Sequence, residues 1–499
     1  MSYKEKYGLT RDWWQKKKQS YIFDEEWFKP FAQMDSRLDY HEAKRDKDTP
    51  TTTAIVFMHE EDGRTLLPVG LVARFGDENL FMYHPDYVDD PDTKPIARAL
   101  PKSHKLYKDE NAHALLPFFD NLVSEGWLGL AQRNAYHRHH EGKIVNDEQK
   151  FAALENGTER FRRLATFGSG FQGAVSVVDV AVTDLELDKE HKDVQEALTS
   201  RGSLTGAQPK MLAVERPIDS ESDQLAFRGA ARNETSQFIV KIGQTRYKNI
   251  VPNEFLNVVA TEILNPDDVT HNVSLGTLAR DDVPVLVLDR FDRTPQGGRI
   301  HFEEALSLLE KPAHEKYSHS YKELGRLTRE LAGEEEVKRL FRRIITHWLL
   351  GNTDGHWKNF AFWEKDGKWQ LTPNYDLVSA DEFADRKNYA NKVLPMAIEG
   401  NRFESKKRIG DVNPKTIFAL GRALELDDKV IHDIVQDVKN RIPKAVAAVR
   451  TIDNPLVTDD YKERFAERLE QRAHGQYDTL DKYFKYSANR QGGQRSLGG

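Results

Sequence analysis

The chain has 499 residues, 38% hydrophobic and 31% charged, with a net charge of −7, the balance of a globular protein of about three domains of roughly 150 residues each. That charge gives no global attraction to nucleic acid or anionic membrane, so any such contact must come from a local patch. The absence of cysteine excludes disulfides, thiolate nucleophiles and Cys-ligated zinc or iron–sulfur sites.

Residues 1–50 carry Trp13-Trp14, a Lys16-Lys17-Lys18 run and a stretch from His41 to Thr49 with almost no apolar residues. The aromatics suit docking on the body and the last third suits a linker; the segment is assigned no function. No apolar leader follows Met1, and no apolar run approaches the ~20 residues of a membrane helix, so a cytoplasmic protein is expected. From residue 51 the pattern becomes α+β. Thr53–Met58 and Leu66–Gly70 read as strands flanking the turn Glu60–Gly63, and Asn79–Tyr83 as another. Ala114–Ala131 reads as one helix with Leu115, Phe118, Phe119 and Leu122 at core spacing. Glu159–Leu164 reads as a short helix whose Arg160, Arg162 and Arg163 form a solvated face, with a phosphate contact as the alternative. Gly168–Gly173 is glycine-rich, but neither a Lys nor a helix follows it as a phosphate loop requires; Ala174–Val182 is a strand.

Gly202–Lys210 is a small-residue turn leading into the strand Met211–Glu215. Such a turn can aim backbone N–H groups, here of Gly206, Ala207 and Gln208, at phosphate oxygens; an ordinary loop is the alternative. Ser236–Ile242 is an apolar strand containing Lys241, a residue costly to bury without an anion. The following helix has Glu254 at its start and Phe255, Val258, Val259 and Ile263 along it. A strand Lys and a helix Glu form the ion pair that holds nucleotide phosphates in kinases; a snorkelling edge Lys is the alternative. Val283–Leu288 is a buried strand ending in Asp289-Arg290-Phe291-Asp292-Arg293, the position of a kinase hinge. Val337, Leu340, Phe341, Ile344, Ile345, Trp348 and Leu349 follow helical spacing, with Glu334–Glu336 at the start and Gly351 as the stop. Ile417–Leu426 and Val430–Val449 are amphipathic helices, the second interrupted by Pro443. Residues 456–485 read as one or two helices and 486–499 as a disordered tail.

Between these helices lies Gly351-Asn352-Thr353-Asp354-Gly355-His356-Trp357-Lys358-Asn359, then the hairpin Phe360–Leu371 turning at Lys365–Lys368, then Asp376. Phosphoryl transfer needs a carboxylate to orient the attacking hydroxyl and oxygen ligands for Mg²⁺. Asp354 fits the first role; Asn359, five residues on, and Asp376, beyond the hairpin, fit the second, in the order of a kinase catalytic loop. A turn that selects Asn, Asp and Gly for backbone reasons is the alternative.

The wording of Ser203–Lys210, Asn253-Glu254-Phe255, Asp289–Arg293, Thr353–Phe360 and Tyr375–Ala380, together with Phe118–Leu122 and Gly168–Val175, resembles the HipA family over roughly residues 55–450. These are serine/threonine-kinase toxins of bacterial type II toxin–antitoxin systems. The resemblance implies an α+β, two-lobed protein-kinase-like fold with a β-containing N-terminal subdomain and a mostly helical C-terminal lobe. The expected segments are an extension (1–50), the N-terminal subdomain (51–160), a kinase N-lobe with glycine-containing loop and hinge (161–300), a helical C-lobe (301–485) and a tail (486–499). It implies ATP and Mg²⁺ as cofactors, Asp354 as base, Asn359 and Asp376 as metal ligands, and Lys241 on the phosphates with Glu254 as partner. Lys210 would lie near ATP, Asp289 and Phe291 would offer backbone to adenine, His356 would brace the loop, and Lys358 would lie near the γ-phosphate. Ser203 matches an autophosphorylated serine that switches the enzyme off. The implied partners are a helix-turn-helix, HipB-like antitoxin, operator DNA through that complex, and a protein substrate such as an aminoacyl-tRNA synthetase, with no membrane. A lipid or small-molecule kinase and an inactive scaffold or corepressor are the alternatives. Pro209 departs from the acidic residue frequent at that place, and the resemblance does not extend to 1–50 or to the chain past about 450, so it does not define the partner interface there.

Overall fold

A computed structural model describes residues 1–10, 29–38, 52–140, 142–146, 148–170, 172–179, 189–194, 196, 208–216, 226–231, 234–244, 247–268, 272–278, 282–383, 392–400 and 407–485. Helices and antiparallel sheets make the class α+β. The chain packs as two compact units, Met1–Ile242 with Asp289–Ala313, and Gly243–Leu288 with His314–Gly499. Both draw on the segment 161–300.

The first unit is built on an antiparallel sheet in the order Tyr107–Glu110, Glu78–Tyr83, Thr65–Phe75, Thr53–His59, Val175–Asp179. The strands are apolar almost throughout because both faces are covered. Val56, Phe81 and Val177 pack with Phe118, Phe161 and Leu164 on one side, and Ile55, Leu71 and Met82 with Phe31 and Leu38 on the other. Asp62 makes the turn after the first long strand, its Oδ1 accepting the Arg64 and Thr65 N–H groups at 2.8 Å each. The extreme N-terminus docks here: Leu9–Thr10 pairs with Leu66 and Thr65, and the buried Tyr3 donates to the Pro68 carbonyl.

Two expectations fail in this unit. The single helix over Ala114–Ala131 is two, Pro117–Leu122 and Gly126–His139. The Val123 N–H turns back to the Asp120 carbonyl, and Gly126 takes φ 56°, which favours glycine. The arginines of the helix Gly157–Phe167 form no solvated face, because each is held by a partner within the unit. Arg160 Nη2 donates to the Asp120 carbonyl at 2.7 Å, Arg163 pairs with Glu155, and Arg162 Nη1 donates to Glu159 Oε1 at 2.9 Å. Arg163 is fully buried, and that burial lowers its pKa to about 10. These cations staple the subdomain internally.

In the second unit the hairpin Val273–Thr277 and Pro284–Asp289 accompanies the helices Ile250–Leu264, Tyr321–Ala332, Glu334–Leu350, Pro414–Ala423, Asp428–Arg450 and Asp459–Tyr477. Glu334–Leu350 is the core helix: Val337, Leu340, Phe341, Ile344, Ile345, Trp348 and Leu349 are all at 0% exposure. The expected interruption at Pro443 does not occur; Asp428–Arg450 runs straight through it. An interior Pro costs about 3 kcal/mol, and here buried residues on both sides, Val435, Val438 and Ile442 before and Ala445, Val446 and Val449 after, hold one continuous face in place. Among the described residues, no helix is long and apolar enough to cross a membrane.

Candidate active site

The core helix delivers the chain into the Asp354 loop through Gly351, which caps it at φ 81° with its N–H directed at the His347 and Trp348 carbonyls. A Cβ at this position would lie 2.3 Å from Asp381 Oδ1 and 2.5 Å from Arg472 Nη2, so only glycine serves. Asn352 then shapes the turn, its Oδ1 accepting the Asp354 N–H at 3.0 Å. Asp354 itself is exposed, so its carboxylate is open to an outside hydroxyl. The Tyr317 hydroxyl donates to its Oδ1, and the same ring stands edge-on to His356 at 5.0 Å and 81°. Tyr317 went unnoticed in the sequence, because nothing local ties it to a residue 37 positions away.

His356 joins base to metal candidates. Its backbone N–H lies 2.7 Å from the Asp354 carbonyl and 3.1 Å from Asn359 Oδ1. Asn359 Nδ2 in turn donates to Asp376 Oδ2 at 3.4 Å. Asp376 holds φ 54°, a left-handed conformation that Asp tolerates better than most residues. Tyr375 donates to the Lys358 carbonyl at 2.7 Å, tying the Asp376 segment to the loop. Behind it His347 is fully buried, and burial followed by the charge of Arg343 lowers its pKa to about 4. It is therefore neutral, with Nε2 donating to Asn374 Oδ1 at 3.1 Å. Among the described residues no cluster of three or more His, Asp or Glu could hold a metal. The Asn359 amide and the Asp376 carboxylate, joined through Nδ2, are instead the candidate pair for Mg²⁺, which takes one or two protein oxygens and fills its octahedron with water and phosphate; Asn359 would have to turn its Oδ1 away from the His356 N–H to join such a site.

The first unit carries the cationic candidates. In the antiparallel pair Lys210–Arg216 and Phe238–Ile242, Lys210 stands directly opposite Lys241. Residues so paired project from one sheet face, and like charges there repel unless an anion joins them. Lys241 is 7% exposed and Lys210 is exposed. The next pair on that face, Leu212 opposite Ile239, is half-buried and apolar, so two cations adjoin a flat hydrophobic patch. Gln208 and Pro209 lead into this strand, with the Pro209 carbonyl accepting the Ile242 N–H at 2.8 Å. Ser203, Gly206 and Ala207 lie outside the described residues.

Asp289 and Phe291 are half-buried in the same unit. The residues between and after them are structural. Asp292 is buried and accepts Arg290 Nη2 at 2.7 Å, Arg293 Nη1 at 2.8 Å and the Gly173 N–H at 2.7 Å. Burial alone would raise its pKa, but the two guanidinium charges and these hydrogen bonds hold it well below the carboxylate range. The Gly168–Gly173 stretch is thus a backbone anchor for this motif. Glu254 is buried one turn inside the Ile250–Leu264 helix of the second unit. Its neighbour Asn253, quoted in the sequence motif but given no role there, has its Oδ1 accepting the Ser379 N–H at 2.9 Å, three residues after Asp376.

Two family models match the chain, the HipA N-terminal domain over residues 65–178 and the HipA-like C-terminal domain over 202–446. The protein Y4dM of Sinorhizobium fredii is 23% identical over 429 residues, 80% of this chain and 96% of that protein. The serine/threonine-protein kinase toxin HipA of Shewanella oneidensis is 26% identical over 288 residues, 52% of this chain and 60% of that protein. A solved structure of the Shewanella oneidensis HipA, HipB and operator DNA complex matches with a TM-score of 0.59 at 17% identity, over 86% of this chain and 99% of that one. That likeness is one of fold, and it makes the architecture HipA-like and kinase-like.

Proposed function

Because the chain belongs to the HipA family, we propose that it is an ATP- and Mg²⁺-dependent protein serine/threonine kinase, the toxin of a type II toxin–antitoxin module. The observation that carries this reading is the arrangement around one short loop: an exposed Asp354 oriented by Tyr317 and joined through His356 to Asn359, which bonds to Asp376 from beyond the hairpin. Asp354 takes the proton of the substrate hydroxyl. Asn359 and Asp376 hold Mg²⁺, which when bound neutralises charge on the transferring phosphoryl group. Lys241 and Lys210 hold nucleotide phosphates, a role the backbone N–H groups of Gly206, Ala207 and Gln208 would share. Asp289 and Phe291 offer backbone to adenine, His356 braces the loop and Lys358 serves the γ-phosphate.

The proposed partners are a HipB-like helix-turn-helix antitoxin, operator DNA through the antitoxin complex, and a protein substrate of the translation apparatus, an aminoacyl-tRNA synthetase being one candidate class. The test is transfer of labelled γ-phosphate from ATP into a lysate, with mass-spectrometric identification of the labelled molecule, beside a growth assay. Label on a protein, and growth arrest by the wild type but not by Asp354→Asn, are expected. Label confined to lipids or small molecules would replace this reading with another kinase class. Equal arrest by both proteins would remove the kinase-toxin reading.

Ser203 gives the control step of the same proposal. Phosphorylation adds about −1.5 to −2 charge, which would repel the phosphates of a nucleotide bound by a neighbouring loop. Incubation with MgATP is expected to modify Ser203, and the modified form to bind nucleotide more weakly than the unmodified one. Peptide mapping and titration with a nucleotide analogue check both points. Phosphate on Thr205 alone, or unchanged affinity after modification at Ser203, would remove the switch.

A further inference from the structure

The matched family region ends at residue 446, yet the helix Asp459–Tyr477 beyond it reaches both the entry to the Asp354 loop and the segment that follows Asp376. On one side it meets the last turn of the core helix, whose carbonyls lack the usual i+4 helical donors. Gln476 Nε2 donates to the Trp348 carbonyl at 3.3 Å and Arg472 Nη1 to the Leu349 carbonyl at 3.4 Å. A cation at a helix C-terminus is favoured by the helix dipole as well. On the other side it meets the segment that follows Asp376. Arg472 Nη2 donates to Asp381 Oδ2 at 2.6 Å, with Arg468 Nη2 3.1 Å from the same oxygen. Tyr461 donates to Glu382 Oε2 at 2.8 Å, and Arg468 Nη1 lies 3.4 Å from that oxygen.

From there the bonds run inward without a gap. Glu382 Oε2 also accepts Asn253 Nδ2 at 2.8 Å, Asn253 Oδ1 accepts the Ser379 N–H at 2.9 Å, and the Ser379 hydroxyl donates to the Leu350 carbonyl. The Asp381 N–H closes the circle on the Gly351 carbonyl at 3.3 Å. The side chains of Arg472 and Asp381 are only 14% and 12% exposed, so this pair is screened less than a surface ion pair. The close approach to Gly351 described above fixes its place beside the loop.

We propose that this C-terminal helix is a clamp that sets the spacing between the base loop and the metal-binding segment, with Arg472 and Tyr461 as its positioning residues. The clamp rests on the kinase reading for its purpose, but its mechanical part does not. Groups supporting metal ligands typically change metal affinity or activity by about 10–100-fold when removed.

Three variants test it: Arg472→Gln, Tyr461→Phe, which removes one hydroxyl only, and Arg450→Gln. The last breaks exposed pairs to Glu463 and Glu470 on the same helix without touching Asp381 or Glu382. The readouts are hydrogen–deuterium exchange over residues 351–354 and 376–383, Mn²⁺ binding by electron paramagnetic resonance with a non-hydrolysable ATP analogue, and the Mg²⁺ dependence of phosphoryl transfer. Arg472→Gln is expected to raise exchange in both segments and to weaken Mn²⁺ binding and half-saturation by Mg²⁺ about 10–100-fold, with metal-free nucleotide affinity unchanged. Tyr461→Phe should move the same way by less, and Arg450→Gln should match the wild type. Wild-type exchange and Mn²⁺ affinity in Tyr461→Phe and in folded Arg472→Gln would overturn the clamp, as would an equal loss in Arg450→Gln. If Arg472→Gln does not fold, Tyr461→Phe decides. A wild type that transfers no phosphate sinks the kinase reading, while the exchange data still decide the clamp.

Discussion

Asp354→Asn is expected to bind ATP as the wild type does and to lose phosphoryl transfer by about 10²–10⁴-fold, the usual contribution of a general base. The substitution is close to isosteric, and its Oδ1 can still accept from Tyr317, so the loop keeps its shape while the hydroxyl acceptor is lost. Asp376→Asn should remove activity through the metal instead, since an amide is a weaker partner for a divalent cation. The two variants therefore differ in kind: raising Mg²⁺ should recover part of the activity of Asp376→Asn and none of that of Asp354→Asn. Nucleotide titration together with initial rates over a Mg²⁺ series checks this. Wild-type turnover in either variant would take the Asp354 loop out of the account.

The parts legible in the sequence were those with local causes. The hairpin Ala361–Lys365 and Lys368–Leu371 turns at Asp366-Gly367, at φ 53° and 72°, and Asp-Gly is the strongest short signal for such a turn. The core helix announced itself by unbroken apolar spacing and by Gly351. What stayed hidden was decided at long range. Arg160, Arg162 and Arg163 looked like a solvated face because their carboxylate and carbonyl partners are scattered over Asp120, Ser124, Glu155 and Glu159. Pro443 looked like a break because the burial that overrides it is visible only when the helix is packed. At the candidate site, Asn359 and Asp376 could be picked out by order and spacing, and one hydrogen bond joins them; the parts played by Tyr317, Asn253 and Arg472 could not, because these residues reach the loop only through tertiary contacts. Lys210 and Lys241 were read as separate signals; their direct opposition on one sheet face depends on strand register, which the sequence does not specify.

Asp268→Ala is expected to destabilise the protein by about 3–5 kcal/mol, the cost of leaving a buried charge without its partner. Asp268 accepts Arg343 Nε at 2.7 Å, Arg339 Nη2 at 2.9 Å and Asn265 Nδ2 at 3.0 Å, and the Arg343 and Asp268 side chains are both wholly buried. The same guanidiniums hold the strand end that leads to Asp376, Arg343 Nη2 donating to the Thr372 carbonyl at 2.7 Å and Arg339 Nη1 to the Leu371 carbonyl at 3.0 Å. Folded domains are stable by only about 5–15 kcal/mol, so the loss is large enough to be seen in a denaturant titration, and metal binding at Asp376 should weaken before the unit unfolds. The uncompensated charge, not the cavity, dominates this cost. The double variant Asp268→Leu with Arg343→Met should therefore recover much of the lost stability, because replacing a buried pair with apolar side chains is often neutral. Arg339, 17% exposed, can turn its charge towards water. A single variant within about 0.5 kcal/mol of wild type, the range of an ordinary surface change, would show that the cluster does not hold the Asp376 segment. A double variant no better than Asp268→Ala would assign the cost to lost packing instead.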